Sequence, residues 1–226
     1  RQFAPPLDFG PIAFGIGANT QPYAGRFGGR SRMNLGFWDA STGTLNFTTG
    51  AGARSLNLPG DWTTTLHIPI PGDYDGDGVT DLAMAFLGDF GGQPRYLARI
   101  LFSRDDVLRD LVIDPRAYDP ANHSSANIGF GAGQDADQNG ADEITVYAQR
   151  NGGLMRLLQF VIDPASPSVS AFGGPAWGLL GDRLVLGNWT AGSSGNQFGL
   201  MVARKTATAW EWYLFPNGTP TSWGLP

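Results

Sequence analysis

The residues best suited to chemistry are the carboxylates Asp73, Asp75, Asp77 and Asp81, which punctuate the turn in PGDYDGDGVTDLAMAF, Pro71 to Phe86. With Asp73 as loop position 1, they fall at positions 1, 3, 5 and 9, and the Val79 carbonyl at position 7 adds another oxygen. Oxygens in this order can converge on one hard cation, and calcium, which accepts about six to eight of them in a flexible cage, is the ion that fits. Gly76 and Gly78 tolerate the positive φ that so tight a coil demands. The arrangement returns in GQDADQNGADEITVYA, where Asp135, Asp137, Asn139 and Glu143, with the Ala141 carbonyl, take the same positions. Asn at position 5 and Glu at position 9 keep oxygen donors but lower or rearrange the charge. The sequence therefore predicts two calcium ions, the tighter one in the 73–81 loop. The plainer alternative is that these Asp and Gly residues only form turns. An EF-hand is excluded, because position 12 holds Met84 or Val146 where a bidentate Glu is required, and strand-like sequence follows each loop.

Loops of this kind need strands to hold them. Thirty-three Gly and 16 Pro beside 14 Phe and 7 Trp describe short strands, tight turns and aromatic packing, and argue against long helices. Laying the chain on itself at the Asp loop gives registers starting at Tyr23, Pro71, Gly131 and Val185, with Arg26, Asp73, Asp135 and Asn188 at position 1, spaced by 47, 62 and 53 residues. Strands are expected after the loops at Leu35 to Trp38, Thr44 to Thr48, Ile144 to Ala148 and Leu154 to Ile162, with turns at ASTG and RNGG between them. Others precede the loops at Thr65 to Ile70, Ala126 to Phe130 and Arg183 to Leu186. The boundaries are one repeat domain, 1–226, with repeats 10–57, 58–120, 121–175 and 176–226. An insertion at 103–125, with Val107, Leu108, Leu111 and Val112 at roughly helical spacing, predicts a short helix or an edge strand followed by a loop. The predicted fold class is all-β, a propeller-like array of about four blades of antiparallel strands that closes into a ring if the termini pair.

The second register, with LPGDW before HIPIPGDYDGDGVTDLAMAF, resembles the FG-GAP or VCBS-type repeats of integrin-like propellers and secreted bacterial proteins. AWGLLGDRLVLGNW and SWGLP are similar to the linkers of that family. The resemblance covers the second repeat best and the third well. It implies a calcium-loop propeller, or a shorter array of the same kind.

In the other two registers the carboxylates are gone. Arg26, Gly28, Arg30 and Arg32 fill positions 1, 3, 5 and 7 of the first, and Asn188, Thr190 and Gly192 fill 1, 3 and 5 of the fourth. A guanidinium from Arg26 or Arg30 could replace the cation as the donor that ties the turn together. Equally, these arginines could face solvent or bind an anion.

The formal net charge of −5, concentrated in the Asp loops, disfavours nucleic acid, and no stretch approaches the roughly 20 apolar residues needed for membrane insertion. Absence of cysteine rules out disulfides. Modular calcium sites of this sort work at about 10⁻⁴ to 10⁻³ M, which points to a secreted or cell-surface protein. The chain opens at Arg1 without an apolar leader, so a signal or larger precursor is expected to have been removed.

Signals for an enzyme are poor. His67 and His123 are the only histidines, and HExxH, GxSxG and P-loop motifs are missing. Asp105, Asp106 and Asp110 read as a charged helix start before they read as an acid pair. Asn46, Asn122, Asn188 and Asn217 begin NxS/T triplets, acceptors only in a glycosylating host. Six of the seven tryptophans, Trp38, Trp177, Trp189, Trp210, Trp212 and Trp223, recur near blade positions, and most are expected to wedge between blades, with a few free to stack on sugars. The function expected is a non-catalytic calcium-binding module with a structural, adhesive or assembly role, its partner a surface protein, a glycan or another copy of itself. The alternatives are a glycan-binding module and, third, a carbohydrate-active enzyme using the carboxylates of 103–125.

Overall fold

The computed structural model describes residues 20–27, 34–49, 52–57, 68–120, 128–149, 154–166, 169–179, 182–187, 199–207, 209–214 and 220–224. They form four antiparallel sheets, each of four consecutive strands. Sheet one holds β1 (Thr20–Gly25), β2 (Asn34–Asp39), β3 (Thr44–Thr49) and β4 (Gly52–Asn57). Sheet two holds β5 (Ile68–Pro69), β6 (Leu82–Asp89), β7 (Pro94–Leu101) and β8 (Leu108–Val112). Sheet three holds β9 (Ile128–Gln134), β10 (Glu143–Gln149), β11 (Met155–Ile162) and β12 (Val169–Ala176). Sheet four holds β13 (Arg183–Gly187), β14 (Gly199–Lys205), β15 (Ala209–Leu214) and β16 (Pro220–Gly224). No helix among the described residues is long and apolar enough to cross a membrane.

Each loop is closed by a pairing between the first two strands of its sheet or, in sheet two, by an isolated bridge between them. Pairing of Gly25 with Asn34, Gly72 with Asp81 and Gln134 with Glu143 pins loop position 0 to position 9 three times over. The fourth sheet pairs Gly187 with Gly199, a span longer by three residues. The turn ASTG behaves as expected: Gly43 takes φ +65°, and Asp39 accepts the N–H and the hydroxyl of Ser41.

The sheets pack in chain order because the strands in the middle are apolar on both faces. Along β6, Leu82 and Met84 join Trp38 and Leu45 of sheet one, whereas Ala83 and Ala85 join Ile144, Val146 and Phe160 of sheet three. Period-two alternation puts each set on its own face, and a strand covered on both sides loses the polar half of the pattern. Trp38, fully buried, wedges between sheets one and two as the sequence led one to expect. Sheet four meets sheet three where Gly131 of β9 lies against Leu186 of β13; a Cβ there would come within 2.6 Å of the leucine Cδ1.

Of the two alternatives for 103–125, the edge strand is the one observed, and because it completes sheet two the segment is part of the repeat and not an insertion. Residues Leu108–Val112 are the fourth strand of sheet two, in register with β7, and the only helix among the described residues follows as α1 (Pro115–Tyr118). Leu111 is buried while Asp110 points to solvent and grips Arg99 of β7 through two bonds of 2.6 Å. Cross-strand pairing thus overrides the helical spacing, and the segment supplies the edge that the other sheets also possess. The RNGG turn, the LPGDW segment and both histidines lie outside the described residues.

Candidate metal centre

Asp73, Asp75 and Asp81 come together, as do Asp135, Asp137 and Glu143, each trio presenting oxygens within 4.8 Å of one another. The two loops share one hydrogen-bond frame. Position 1 accepts the N–H of position 6, as Gly78 to Asp73 Oδ2 at 2.7 Å and Gly140 to Asp135 Oδ2 at 3.1 Å. Position 3 accepts from position 5, as Asp77 to Asp75 Oδ1 at 3.1 Å and Asn139 to Asp137 Oδ1 at 3.0 Å. Position 9 reaches back to position 2, as Tyr74 to Asp81 Oδ2 at 2.9 Å and Ala136 to Glu143 Oε2 at 2.6 Å. These local bonds fold the short segment onto itself and bring its remaining carboxylate oxygens toward one point.

Position 5 accepts from position 7: Asp77 and Asn139 take the N–H of Val79 at 2.7 Å and of Ala141 at 2.8 Å, each through one side-chain oxygen. Asp77 lies outside the carboxylate trio of its loop. Gly76 and Gly78 take φ +70° and +84°, the left-handed conformations anticipated for them. In the other loop the same two positions are Gln138 at +64° and Gly140 at +98°.

The electrostatics are those of acids crowded away from water. Burial pushes the Asp81 and Glu143 carboxyls up to about 7, against N–H donors that pull them down. Burial also raises Asp73 and Asp75. In the 135–143 loop, Asp135 Oδ1 and Glu143 Oε1 are buried and have no hydrogen-bond partner, although Glu143 is only 1% exposed. A buried acceptor without a donor is costly, and a cation is the species that would satisfy both oxygens at once.

Several residues that build the centre gave no local signal in the sequence. Asp142, at position 8, accepts the Asp73 N–H at 2.7 Å and returns its own N–H to the Asp73 carbonyl at 2.7 Å. Burial raises its carboxyl to about 6. The Gly133 N–H donates to Pro71, and a Cβ on Gly133 would lie 2.7 Å from Gly72 Cα and 2.8 Å from Asp142 Cβ. The first register repeats the contact: the Arg26 N–H donates to Thr80 Oγ1 at 2.7 Å, again position 1 of one loop to position 8 of the next. Arg26 is thus tied in by its main chain, whereas Arg30, Arg32 and the fourth-register residues 188–198 lie outside the described residues. Tyr74 is buried beneath the 73–81 loop, with its hydroxyl donating to the Ile70 carbonyl.

The carboxylates of 103–125 do not assemble an acid pair. Asp105 accepts the Val107 N–H, Asp106 sits in the turn at φ +55°, and Asp110 is taken by Arg99. No protein-family profile matches the chain, and no curated protein matches it significantly. The likeness to FG-GAP and VCBS repeats accordingly rests on the loop residues themselves.

Proposed function

We propose that this chain is a calcium-stabilised repeat module of the secreted or cell-surface kind, with its four sheets as blades of a propeller-like array and a structural or assembly role. The reading is carried by the buried, unpartnered oxygens of Asp135 and Glu143 inside a trio of carboxylates. Asp73, Asp75 and Asp81 would hold one ion and Asp135, Asp137 and Glu143 the other. The ion supplies charge neutralisation and oxygen coordination, and it fastens the loop to the start of the following strand. Oxygen-only donor sets of this flexibility suit Ca2+ over Mg2+, which demands near-ideal octahedral geometry. Magnesium is therefore the control ion.

Binding to the folded state alone stabilises it by about 2.7 kcal/mol at a hundredfold excess over Kd. Thermal melts in calcium and in EGTA read this directly: the expected outcome is a higher Tm in calcium, and an unchanged melt would overturn the reading. Ring closure is a separate matter. Among the described residues each sheet is built from its own four consecutive strands, so a ring formed by these strands would close by packing sheet four on sheet one. A compact unit of 226 residues has a radius of gyration of about 17 Å. Small-angle scattering well above that value would support an open array.

A further inference from the structure

We infer that Arg104 is a built-in counter-ion of the 73–81 loop, and that the 135–143 loop is consequently the tighter of the two calcium sites. The inference rests on the calcium reading above, and it reverses the order that counting carboxylates suggests.

The turn between β7 and β8 lies over the 73–81 loop. Arg104 Nε stands 3.3 Å from Asp75 Oδ2, and its Nη2 donates to the Asp75 carbonyl at 3.1 Å. Beside it, the Ser103 N–H donates to Asp81 Oδ1 at 2.8 Å. Asp81 therefore has both oxygens bound by main-chain donors, those of Ser103 and Tyr74, and Asp75 has one bound by Asp77 and one by the guanidinium. Protein groups already satisfy what an ion would satisfy.

Among the described residues the 135–143 loop has no such cover. Position 10 pairs with Leu101 in sheet two and with Phe160 in sheet three, so by register the residue three further on is Arg104 in one and Asp163 in the other. At that register position sheet three has an acid in place of a cation, and it is engaged locally, accepting the Ala165 N–H at 2.8 Å. Among the described residues no guanidinium pairs with Asp135, Asp137 or Glu143, and two of their oxygens are without a donor.

A cation entering the 73–81 loop must displace Arg104 from Asp75 and then bind against a nearby positive charge. The Asp75 side chain is 2% exposed but that of Arg104 is 53% exposed, so the guanidinium can swing into water. Exposed pairs are weak, and the competition amounts to about two- to fivefold in affinity. Rising calcium would thus fill the 135–143 loop first and the 73–81 loop after it.

Calorimetric titration of the full chain with calcium tests this. In an Asp135→Asn/Glu143→Gln background, where only the 73–81 loop remains, adding Arg104→Gln should tighten binding about two- to fivefold, and Arg104→Lys should leave it weak. Unchanged or weaker binding in Arg104→Gln, or equal tightening by Arg104→Lys, would overturn the inference while leaving the calcium reading intact. No calcium heat in the unaltered chain would overturn both. Should the background variant fail to fold by circular dichroism, Arg104→Gln alone in the otherwise unaltered chain must tighten the weaker of two fitted sites and spare the stronger; a gain in the stronger site counts against the assignment.

Discussion

The 73–81 and 135–143 loops share the bonds from position 6 to 1, 5 to 3 and 2 to 9, yet they end in opposite conditions, because Asp73 Oδ1 also accepts the Asp77 N–H at 3.0 Å whereas Asp135 Oδ1 has no donor. In the first, Tyr74, Ser103 and Arg104 approach from within the sheet and occupy the oxygens of Asp75 and Asp81. In the second, Ala136 replaces the tyrosine, Glu143 reaches further than Asp81, and one oxygen each of Asp135 and Glu143 is buried without a donor. Charge count is thus a poor guide to cation demand. What decides it is how many carboxylate oxygens the fold has already engaged, because an ion adds most where donors are missing.

Forcing the loops apart should produce the largest effect. Gly133 packs against the Gly72 backbone and Asp142, with no flexible side-chain tip to yield, so Gly133→Ala should cost about 2–3 kcal/mol. Denaturant unfolding in EGTA checks this, and calcium titration should then show weaker binding in both loops at once.

Next come the two position-9 acids, which should fail in different ways. Asp81→Asn turns an amide N–H toward a main-chain donor and should cost about 2 kcal/mol whether or not calcium is present. Glu143→Gln should change the EGTA melt little or raise it, while removing most of the calcium-induced rise in Tm. Equal behaviour of the two variants in EGTA would erase the distinction between the loops.

A pH series sharpens the same point. Asp81, Glu143 and Asp142 have folded-state values raised to about 7, 7 and 6, above the roughly 4 of an unfolded chain. The folded protein then binds more protons than the unfolded one between about pH 4 and 7, and its stability is lost as pH rises through that window. Melts in EGTA should accordingly be higher at pH 5 than at pH 8. Calcium should flatten the slope by stabilising the ionised forms, and a flat profile in EGTA would contradict the burial assigned to these acids.

Much of this was legible locally. Asp and Gly at alternate positions specify the turn themselves, and the apolar runs beside ASTG and before Ile162 gave β2, β3, β10 and β11 close to their observed limits. What escaped was non-local. Asp142 meets Asp73 across 69 residues and Arg104 meets Asp75 across 29, and neither contact leaves a periodic trace. β8 was obscured for another reason: Val107, Leu108, Leu111 and Val112 mimic helical spacing, and only pairing with β7 chooses the strand.

The smallest effect concerns position 4, where the better-satisfied loop has glycine and the cation-demanding one does not. Gly76 adopts φ +70° freely, while Gln138 holds +64° at the expense expected of a side chain in the left-handed region. Gln138→Gly should therefore stabilise the folded chain by about 0.5–1 kcal/mol in EGTA, the relief of strain outweighing the added freedom of the unfolded chain. The reciprocal Gly76→Gln should cost more than that, since a Cβ there would lie 3.2 Å from the Gly140 carbonyl oxygen as well as meeting the strained φ. Urea unfolding of both variants measures the difference. If Gln138→Gly destabilises instead, the glutamine side chain contributes an interaction that offsets its backbone, and the contrast between the loops would extend beyond their carboxylates.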